Sequence, residues 1–182
     1  MRKLLTFIMT IITTAIYSQN FISDNSSFKK GLSSWQFGVA SNTNDTPDAE
    51  FEVVEEGQDD DSSCKVKVRI NTESFNYNDA YLMYKGIPVK KGKKYRVAFY
   101  VKSNRPKDKV MVTIGSGSAP NIQILEDREQ AFVGNSEWQK ISFAFQASKN
   151  RNNVNFKDLS LFVGFNYRFG TFYVDNFSVT SL

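Results

Sequence analysis

The sequence predicts an all-β protein built as a two-sheet antiparallel β-sandwich of the jelly-roll type. Apolar and polar residues alternate over runs of five to ten residues, and clusters of polar residues separate the runs. After residue 18, no long segment has helical periodicity. The prolines lie between the runs or at their ends, where a missing N–H leaves the strand ladder intact: Pro47, Pro88, Pro106 and Pro120. Short strands joined by polar turns are typical of this fold class.

The first 18 residues are predicted to be a secretory signal peptide. Arg2 and Lys3 precede an uncharged stretch, residues 4–16, that is shorter than the roughly 20 residues needed to span a bilayer. We expect cleavage after Ser18, export of the chain as a secreted or periplasmic protein, and no membrane insertion. Residues 19–182 are then predicted to form a single domain, because no linker or change of composition divides them.

The predicted mature chain is nearly neutral. Loss of Arg2 and Lys3 leaves 21 basic residues against 19 acidic ones, which lowers the net charge from +4 to +2. A charge this small gives no reason to expect a polyanion such as nucleic acid as the partner, although it allows local patches.

Ten runs of alternating residues are predicted to be strands. In residues 64–70, Cys64, Val66 and Val68 share one face with Ile70, and three cations occupy the other face. Residues 94–103 repeat the pattern, with apolar side chains on one face and Arg96, Tyr100 and Lys102 on the other. The remaining runs are residues 35–40, 50–55, 80–87, 109–114, 121–126, 138–147, 159–166 and 171–180.

Several common chemistries are excluded by composition. The chain has no histidine and one cysteine, so Ser-His-Asp and Cys-His catalysis, intrachain disulfides and ordinary zinc sites are absent. Cys64 lies on the apolar side of its strand and is predicted to be a buried, inert thiol. The acidic run Asp59-Asp60-Asp61 is interpreted as solvated loop residues, since successive carboxylates point in different directions.

Four short motifs follow one another along the chain in a recognisable order. They are residues 20–35, from Asn20 through Gly31 to Trp35; residues 89–103, with Gly92-Lys93-Lys94-Tyr95 and a final Lys102-Ser103; residues 138–145, beginning Trp138-Gln139; and residues 172–177, ending in Asp175-Asn176-Phe177. In order and spacing these motifs resemble those of carbohydrate-binding modules of families 4 and 9. Trp35 and Trp138 both lie inside the motifs, so we expect them to pack within the framework.

The resemblance implies a galactose-binding-like jelly roll that binds a polysaccharide without catalysis. Such a module would act beside a separate glycan-degrading enzyme or a partner at the cell surface. Two alternatives remain open, because a fold does not fix a function. One is an extracellular adhesion or assembly domain that does not bind sugar. The other is a polysaccharide lyase that uses a tyrosine with an arginine or lysine.

Four tyrosines, and not the two framework tryptophans, are the candidate sugar contacts, because a flat aromatic ring can stack on a pyranose. Tyr77 lies in a polar loop at the position where the resemblance places a stacking ring. Tyr81 alternates with Ala80 and Leu82 and shares its face with Lys85, so its side chain is predicted to lie on the more solvated face. Two further groups combine a ring with polar or cationic side chains: Tyr100 with Arg96 and Lys102, and the turn Asn166-Tyr167-Arg168.

The resemblance also implies a structural calcium, held by a glutamate of the first motif and the aspartate of the last. Asp175 is present, but Lys29 stands at the glutamate position. A cation in place of a carboxylate ligand argues against the metal, so no cofactor is expected to be required. Asp24, nearby in the sequence, is the carboxylate that would have to replace the missing ligand.

Overall fold

The structure, a computed structural model, is a sandwich of two five-stranded sheets and confirms the predicted jelly-roll class. It describes residues 19–39, 48–59, 61–69, 80–105, 108–118, 121–131, 134, 136–148, 153–165 and 169–182. The predicted signal peptide lies outside these residues. Within them, no helix is long and apolar enough to cross a membrane.

Ten strands build the described part of the chain. In chain order they are β1 (Trp35–Val39), β2 (Asp48–Val54), β3 (Ser63–Arg69), β4 (Ala80–Lys85), β5 (Lys94–Ser103), β6 (Lys109–Ser116), β7 (Gln123–Ala131), β8 (Gln139–Gln146), β9 (Leu159–Gly164) and β10 (Phe169–Ser181). The first sheet has the order β1-β4-β9-β6-β7 and the second the order β2-β3-β10-β5-β8, with antiparallel pairing throughout.

Alternation along the strands produces one core between the sheets. On β3, Cys64, Val66 and Val68 are buried, while the cations between them lie on the outer face of the second sheet. On β4, Ala80 and Leu82 enter the same core from the first sheet. Burial raises the pKa of the Cys64 thiol to about 12, in agreement with the predicted inert cysteine.

Residues of the first motif fasten the N-terminal segment to the sandwich. The Asn20 side chain accepts hydrogen bonds from the N–H groups of Ile22 and Val179, both at 3.0 Å. The Asn25 side chain donates to the carbonyls of Gly31 and Ser33 at 2.7 and 2.8 Å. These bonds explain why asparagines recur in this motif: each amide satisfies backbone groups that the turn leaves without ladder partners.

Trp35 confirms the expected framework role. Trp35 is 5% exposed, and its ring packs against Phe28, Tyr84 and Phe177 with centroid distances of 5.2, 5.3 and 4.8 Å. The indole N–H donates to the carbonyl of Asn25 at 2.9 Å, so the one polar atom of the ring is satisfied inside the core.

Candidate functional site

The candidate sugar-binding residues lie on two opposite faces of the sandwich. Tyr81 belongs to β4 of the first sheet, whereas Arg96, Tyr100 and Lys102 belong to β5 of the second. All four alternate with core residues and so lie on the outer faces, as their patterns predicted. Because the core separates the faces, Tyr81 and Tyr100 cannot belong to one stacking platform.

Two of the candidate groups fall outside the described residues. These are Tyr77 and the turn Asn166-Tyr167-Arg168. Their contact with sugar therefore stays a prediction.

The Tyr81 ring lies across β1 at a glycine. A Cβ atom at Gly38 would stand 2.8 Å from the Tyr81 hydroxyl and 3.1 Å from the ring carbon Cζ. On the other side, Tyr81 pairs with Gly164 of β9. A tyrosine flanked by two glycines has no side chain beside it in its own row, so the ring lies low on the sheet. It is partly exposed.

The residues around Tyr81 form a mixed apolar and polar surface, here called the tyrosine face. The next row of paired residues runs Gln36–Met83–Phe162–Thr113–Asp127 across all five strands. Met83 and Phe162 are each 2% exposed, and the Phe162 ring centroid lies 6.5 Å from that of Tyr81. Exposed polar side chains stand at both edges, Gln36 on β1 and Asp127 on β7. Met83 and Phe162 are thus almost completely covered, so a sugar on this face would contact the partly exposed Tyr81 ring and the exposed polar side chains at the edges.

The second outer face places Lys102 between two aromatic rings. Its Nζ lies 4.9 Å from the ring centroid of Trp138 and 4.6 Å from that of Tyr173, within the range of cation–π contacts. The same ammonium forms an ion pair with Glu56. The residue is only 8% exposed, so the second candidate group contains a cation that is already held on three sides.

The rest of that group is more open. Tyr100 is partly exposed, and Lys140 lies over its ring with Nζ 5.6 Å from the centroid. Arg96 is exposed at the position opposite Thr180 and Ala144. The structure therefore brings Lys102 close to Trp138 and Tyr173, neither of which is among the sugar contacts predicted from the sequence.

Trp138 corrects the expected framework packing. It is partly exposed on the outer face beside Lys102 and is not among the core residues. The signal for Tyr173 was present in the sequence, since it alternates with the buried residues Phe172 and Val174. That signal is hidden because the whole segment 172–177 also matches the framework motif.

Asp175 is buried at the junction of the closing strand and the loop after β2. The residue is 0% exposed, and its two carboxylate oxygens accept hydrogen bonds from the N–H groups of Gln58, at 2.8 Å, and Asn176, at 2.7 Å. Burial raises its pKa to about 6, and the nearby charges of Asp59 and Asp61 act in the same direction.

Lys29 and Asp24 take part in separate ion pairs. The Lys29 ammonium lies 2.9 Å from Asp61, which corrects the interpretation of Asp61 as a solvated loop carboxylate. Asp24 instead lies 2.6 Å from the Lys30 ammonium at an exposed site. Among the described residues, no group of three or more aspartate, glutamate or cysteine side chains could hold a metal ion. A calcium site using Asp24 and Asp175 stays an untested prediction.

Comparison with known protein families decides the relationship that the motifs indicated. A family model described as "Carbohydrate binding domain" matches residues 16–157, about three quarters of the chain. The chain belongs to the family 4/9 carbohydrate-binding modules. No curated protein sequence matches it.

Solved structures show the same fold at low sequence identity. One described as "CBM4 structure and function" is 13% identical with a TM-score of 0.66, over 87% of this module and 99% of that chain. The CBM22-1 xylan-binding domain of Xyn10C from Paenibacillus barcinonensis is 14% identical with a TM-score of 0.60, over 90% and 95% of the two chains. TmCBM61 in complex with β-1,4-galactotriose is 15% identical with a TM-score of 0.58, over 91% and 100%.

Proposed function

We propose that this module is an exported, noncatalytic protein that binds an uncharged polysaccharide on the tyrosine face, with Tyr81 as the stacking ring. The observation that carries the proposal is the Tyr81 ring lying across Gly38, with Gly164 on its other side. Tyr81 is partly exposed, and a pyranose would stack on the accessible part of its ring. Family membership and the carbohydrates named for two of the similar structures, galactotriose and xylan, support sugar as the ligand.

The polar side chains of the tyrosine face favour an uncharged sugar chain. Asp127 and Glu129 of β7 share this face with Met111 and Thr113, and both are exposed. Carboxylates accept hydrogen bonds from sugar hydroxyls, and because Glu129 forms an ion pair with Lys109, this edge keeps only a small negative charge, which favours an uncharged sugar over an acidic one. Five strands spaced about 4.8 Å apart give a surface roughly 19 Å wide, so a sugar chain crossing them would reach from Gln36 to Asp127.

The proposal of a noncatalytic role rests on the chemistry of the same face. A glycosidase needs two carboxylates that face each other across the scissile bond. Asp127 and Glu129 are instead alternate residues of β7, so both side chains lie on the same face of one strand. The chain also lacks histidine, and its cysteine is buried. We infer that the module serves a separate glycan-degrading enzyme or a cell-surface partner after export by residues 1–18.

The test uses the purified protein on an array of neutral glycans, followed by calorimetric titration with the strongest binder. Tyr81→Ala should weaken binding by about 1 to 3 kcal/mol, roughly a fivefold to 150-fold loss, because aromatic anchors carry most of the energy of a small interface. Tyr81→Phe should bind nearly as well as the wild type, since it keeps the ring. Tyr100→Ala removes a partly exposed tyrosine from the opposite face and is the matched control.

Three outcomes would contradict the proposal. Equal affinity of Tyr81→Ala and the wild type would move the sugar away from this face. Absence of binding to every neutral glycan would favour the adhesion or assembly role. Release of shortened or unsaturated sugars on prolonged incubation would favour the lyase. Mass spectrometry of the exported protein tests localisation separately, with an N-terminus at Gln19 expected.

A further inference from the structure

The second sheet carries a cleft on its outer face that the proposed sugar site does not use. It has a volume of about 350 Å³ and lies where β3, β10 and the end of β5 meet. We call it the lysine cleft, and the residues that matter for its chemistry are Lys65, Lys67, Lys102, Asn104, Thr171 and Tyr173. Glu56 is the carboxylate that lines it.

The lysine cleft continues into a second depression of about 440 Å³. The two share Lys67, Asn104 and Thr171, and the second adds Arg69 and Arg105. The pair of depressions thus forms one groove lined by five cationic side chains and one anionic side chain. Since the predicted mature chain has a net charge of only +2, this groove is a local concentration of positive charge.

Strand geometry arranges three of these cations in a row. Lys65, Lys67 and Arg69 are alternate residues of β3, so their side chains leave the same face about 6.8 Å apart. Thr171 and Tyr173 of β10 stand directly opposite Lys67 and Lys65. A hydroxyl and an aromatic ring therefore run beside the row of charges.

At one end of the row the cation is already fixed in place. Lys102 lies between the rings of Trp138 and Tyr173, is ion-paired with Glu56 and is 8% exposed, so it contributes a fixed positive charge beside the row. Tyr173 itself is partly exposed and contributes both to this contact and to the wall of the cleft.

The ion pairs at the other edge of the row are weak enough to be exchanged. Glu52 lies 3.3 Å from Lys65, and Glu50 lies 3.4 Å from Lys67 and 3.6 Å from Arg69. The Glu50 and Glu52 side chains are 57% and 63% exposed, and pairs of this kind contribute at most about 1 kcal/mol. A ligand carboxylate or sulfate could replace these glutamates without leaving a buried charge unpaired.

We propose that the lysine cleft is a second glycan site, and that it binds an acidic polysaccharide through carboxylate or sulfate groups. The β3 cations neutralise the acidic groups, while Thr171, Asn104 and Tyr173 contact hydroxyls and one sugar ring. These neutral polar groups and a single lining ring favour a sugar over nucleic acid, which needs several rings or a stronger positive field. The site differs from the tyrosine face in position and in ligand charge.

The test measures binding of the purified protein to polygalacturonate, to dextran sulfate and to unmodified dextran. We expect the acidic polymers to bind in 0.1 M NaCl and dextran to stay unbound. Binding should weaken strongly in 1 M NaCl, because the screening length falls from about 10 Å to about 3 Å. Binding of polygalacturonate alone identifies carboxylate as the ligand group, and binding of dextran sulfate alone identifies sulfate.

Charge variants separate the cleft from the general charge of the protein. The double variant Lys65→Ala/Lys67→Ala should bind the acidic polymer at least about tenfold more weakly, since two lysines that pair with its acidic groups are lost. The control Lys90→Ala/Lys91→Ala removes the same charge from an exposed loop outside the cleft and should bind like the wild type. Glu50→Gln/Glu52→Gln removes the competing carboxylates and should bind more tightly, which keeps the test valid if the lysine variant is unstable.

Several results would overturn the proposal, and they differ from those that would overturn the neutral-sugar site. They are absence of acidic-polymer binding in 0.1 M NaCl, an equal loss in the Lys90→Ala/Lys91→Ala control, and equally tight binding of single-stranded DNA. Tyr81→Ala should leave acidic-polymer binding unchanged, and Lys65→Ala/Lys67→Ala should leave neutral-glycan binding unchanged. Each of the two proposed sites can therefore be refuted without affecting the proposal for the other.

Discussion

The Tyr81 hydroxyl lies so close to Gly38 that a Cβ atom on the glycine would stand only 2.8 Å away. The ring can occupy this position only because the neighbouring strand has no side chain there. Gly38→Ala should displace the ring while leaving the strand intact, since the clash involves the far end of a flexible side chain. We expect neutral-glycan affinity to fall by about 1 kcal/mol, roughly fivefold, with a nearly unchanged melting temperature.

A double-mutant cycle checks that the glycine acts through the ring. In a Tyr81→Ala background, Gly38→Ala should have no further effect on the titrated affinity, because the displaced group is already gone. Additive losses would show that Gly38 contacts the sugar directly or shapes the strand.

The strands were predictable because alternation is a local property. The bounds of β5 coincide with the predicted run 94–103, and β4 ends at Lys85 where Gly86 adopts a φ of 78° and turns the chain. β7 extends to Ala131, beyond the predicted end at 126. Its later residues Arg128 and Gln130 pair with the buried Val112 and Val110 and so lie on the inward side, but both are polar and at least partly exposed at this edge of the sheet. Alternation therefore weakens there.

The composition of the site could not be predicted in the same way. Alternation shows that Tyr81 and Tyr100 both point away from the core, but not that they belong to different sheets. That depends on pairing between strands distant in sequence, such as β4 with β9. The contact of Lys102 with Trp138 and Tyr173 also brings together β5, β10 and the residue before β8. These segments are distant in sequence, so no local sequence pattern predicts the contact.

The two tryptophans should differ in their effect on stability. Trp35→Ala removes a ring packed against three aromatic side chains and should lower the free energy of unfolding by about 3 to 5 kcal/mol. Trp138→Ala should cost about 1 kcal/mol, because its ring is partly exposed, lies outside the core and makes a cation–π contact with the Lys102 ammonium. Denaturant unfolding of both variants measures the two free-energy losses. Equal losses would show that Trp138 packs in the framework as Trp35 does.

Lys29 should make the fold independent of calcium. Its ammonium lies 2.9 Å from Asp61 and also faces the charges of Asp59 and Asp175, so these carboxylates already have a cation nearby. We expect EDTA to leave the melting temperature essentially unchanged. A decrease of about 10 °C or more, several kcal/mol for a domain of this size, would reveal a bound metal with other ligands.

A charge-reversal variant supplies the positive control for that measurement. Lys29→Glu adds a carboxylate beside Asp61 and removes the compensating cation. We expect a lower melting temperature that calcium chloride raises and EDTA lowers again. A variant insensitive to both additions would mean that the surrounding carboxylates are not arranged to hold an ion.

Asp175 should make the folded protein more stable in mild acid than at neutral pH. Burial raises its pKa from 3.8 to about 6, so the folded protein binds a proton that the unfolded chain does not bind between about pH 4 and pH 6. The contribution of this residue to stability is therefore largest below about pH 4 and is lost as the pH rises through 6. Asp175→Asn cannot titrate, so it should flatten this part of the curve even if losing one N–H acceptor lowers stability at every pH.

Urea unfolding in EDTA at half-unit steps from pH 4.5 to pH 7.5 measures this slope. Asp24→Asn is the contrasting control, because its hydrogen bond and ion pair with Lys30 hold the pKa of Asp24 below the usual value. The stabilisation from Asp24 is present at pH values above the usual pKa of an aspartate and is lost as the pH falls. Its removal should therefore leave the slope of unfolding free energy against pH unchanged above pH 5. Parallel curves for the wild type and Asp175→Asn would show that the buried carboxyl does not titrate in this range.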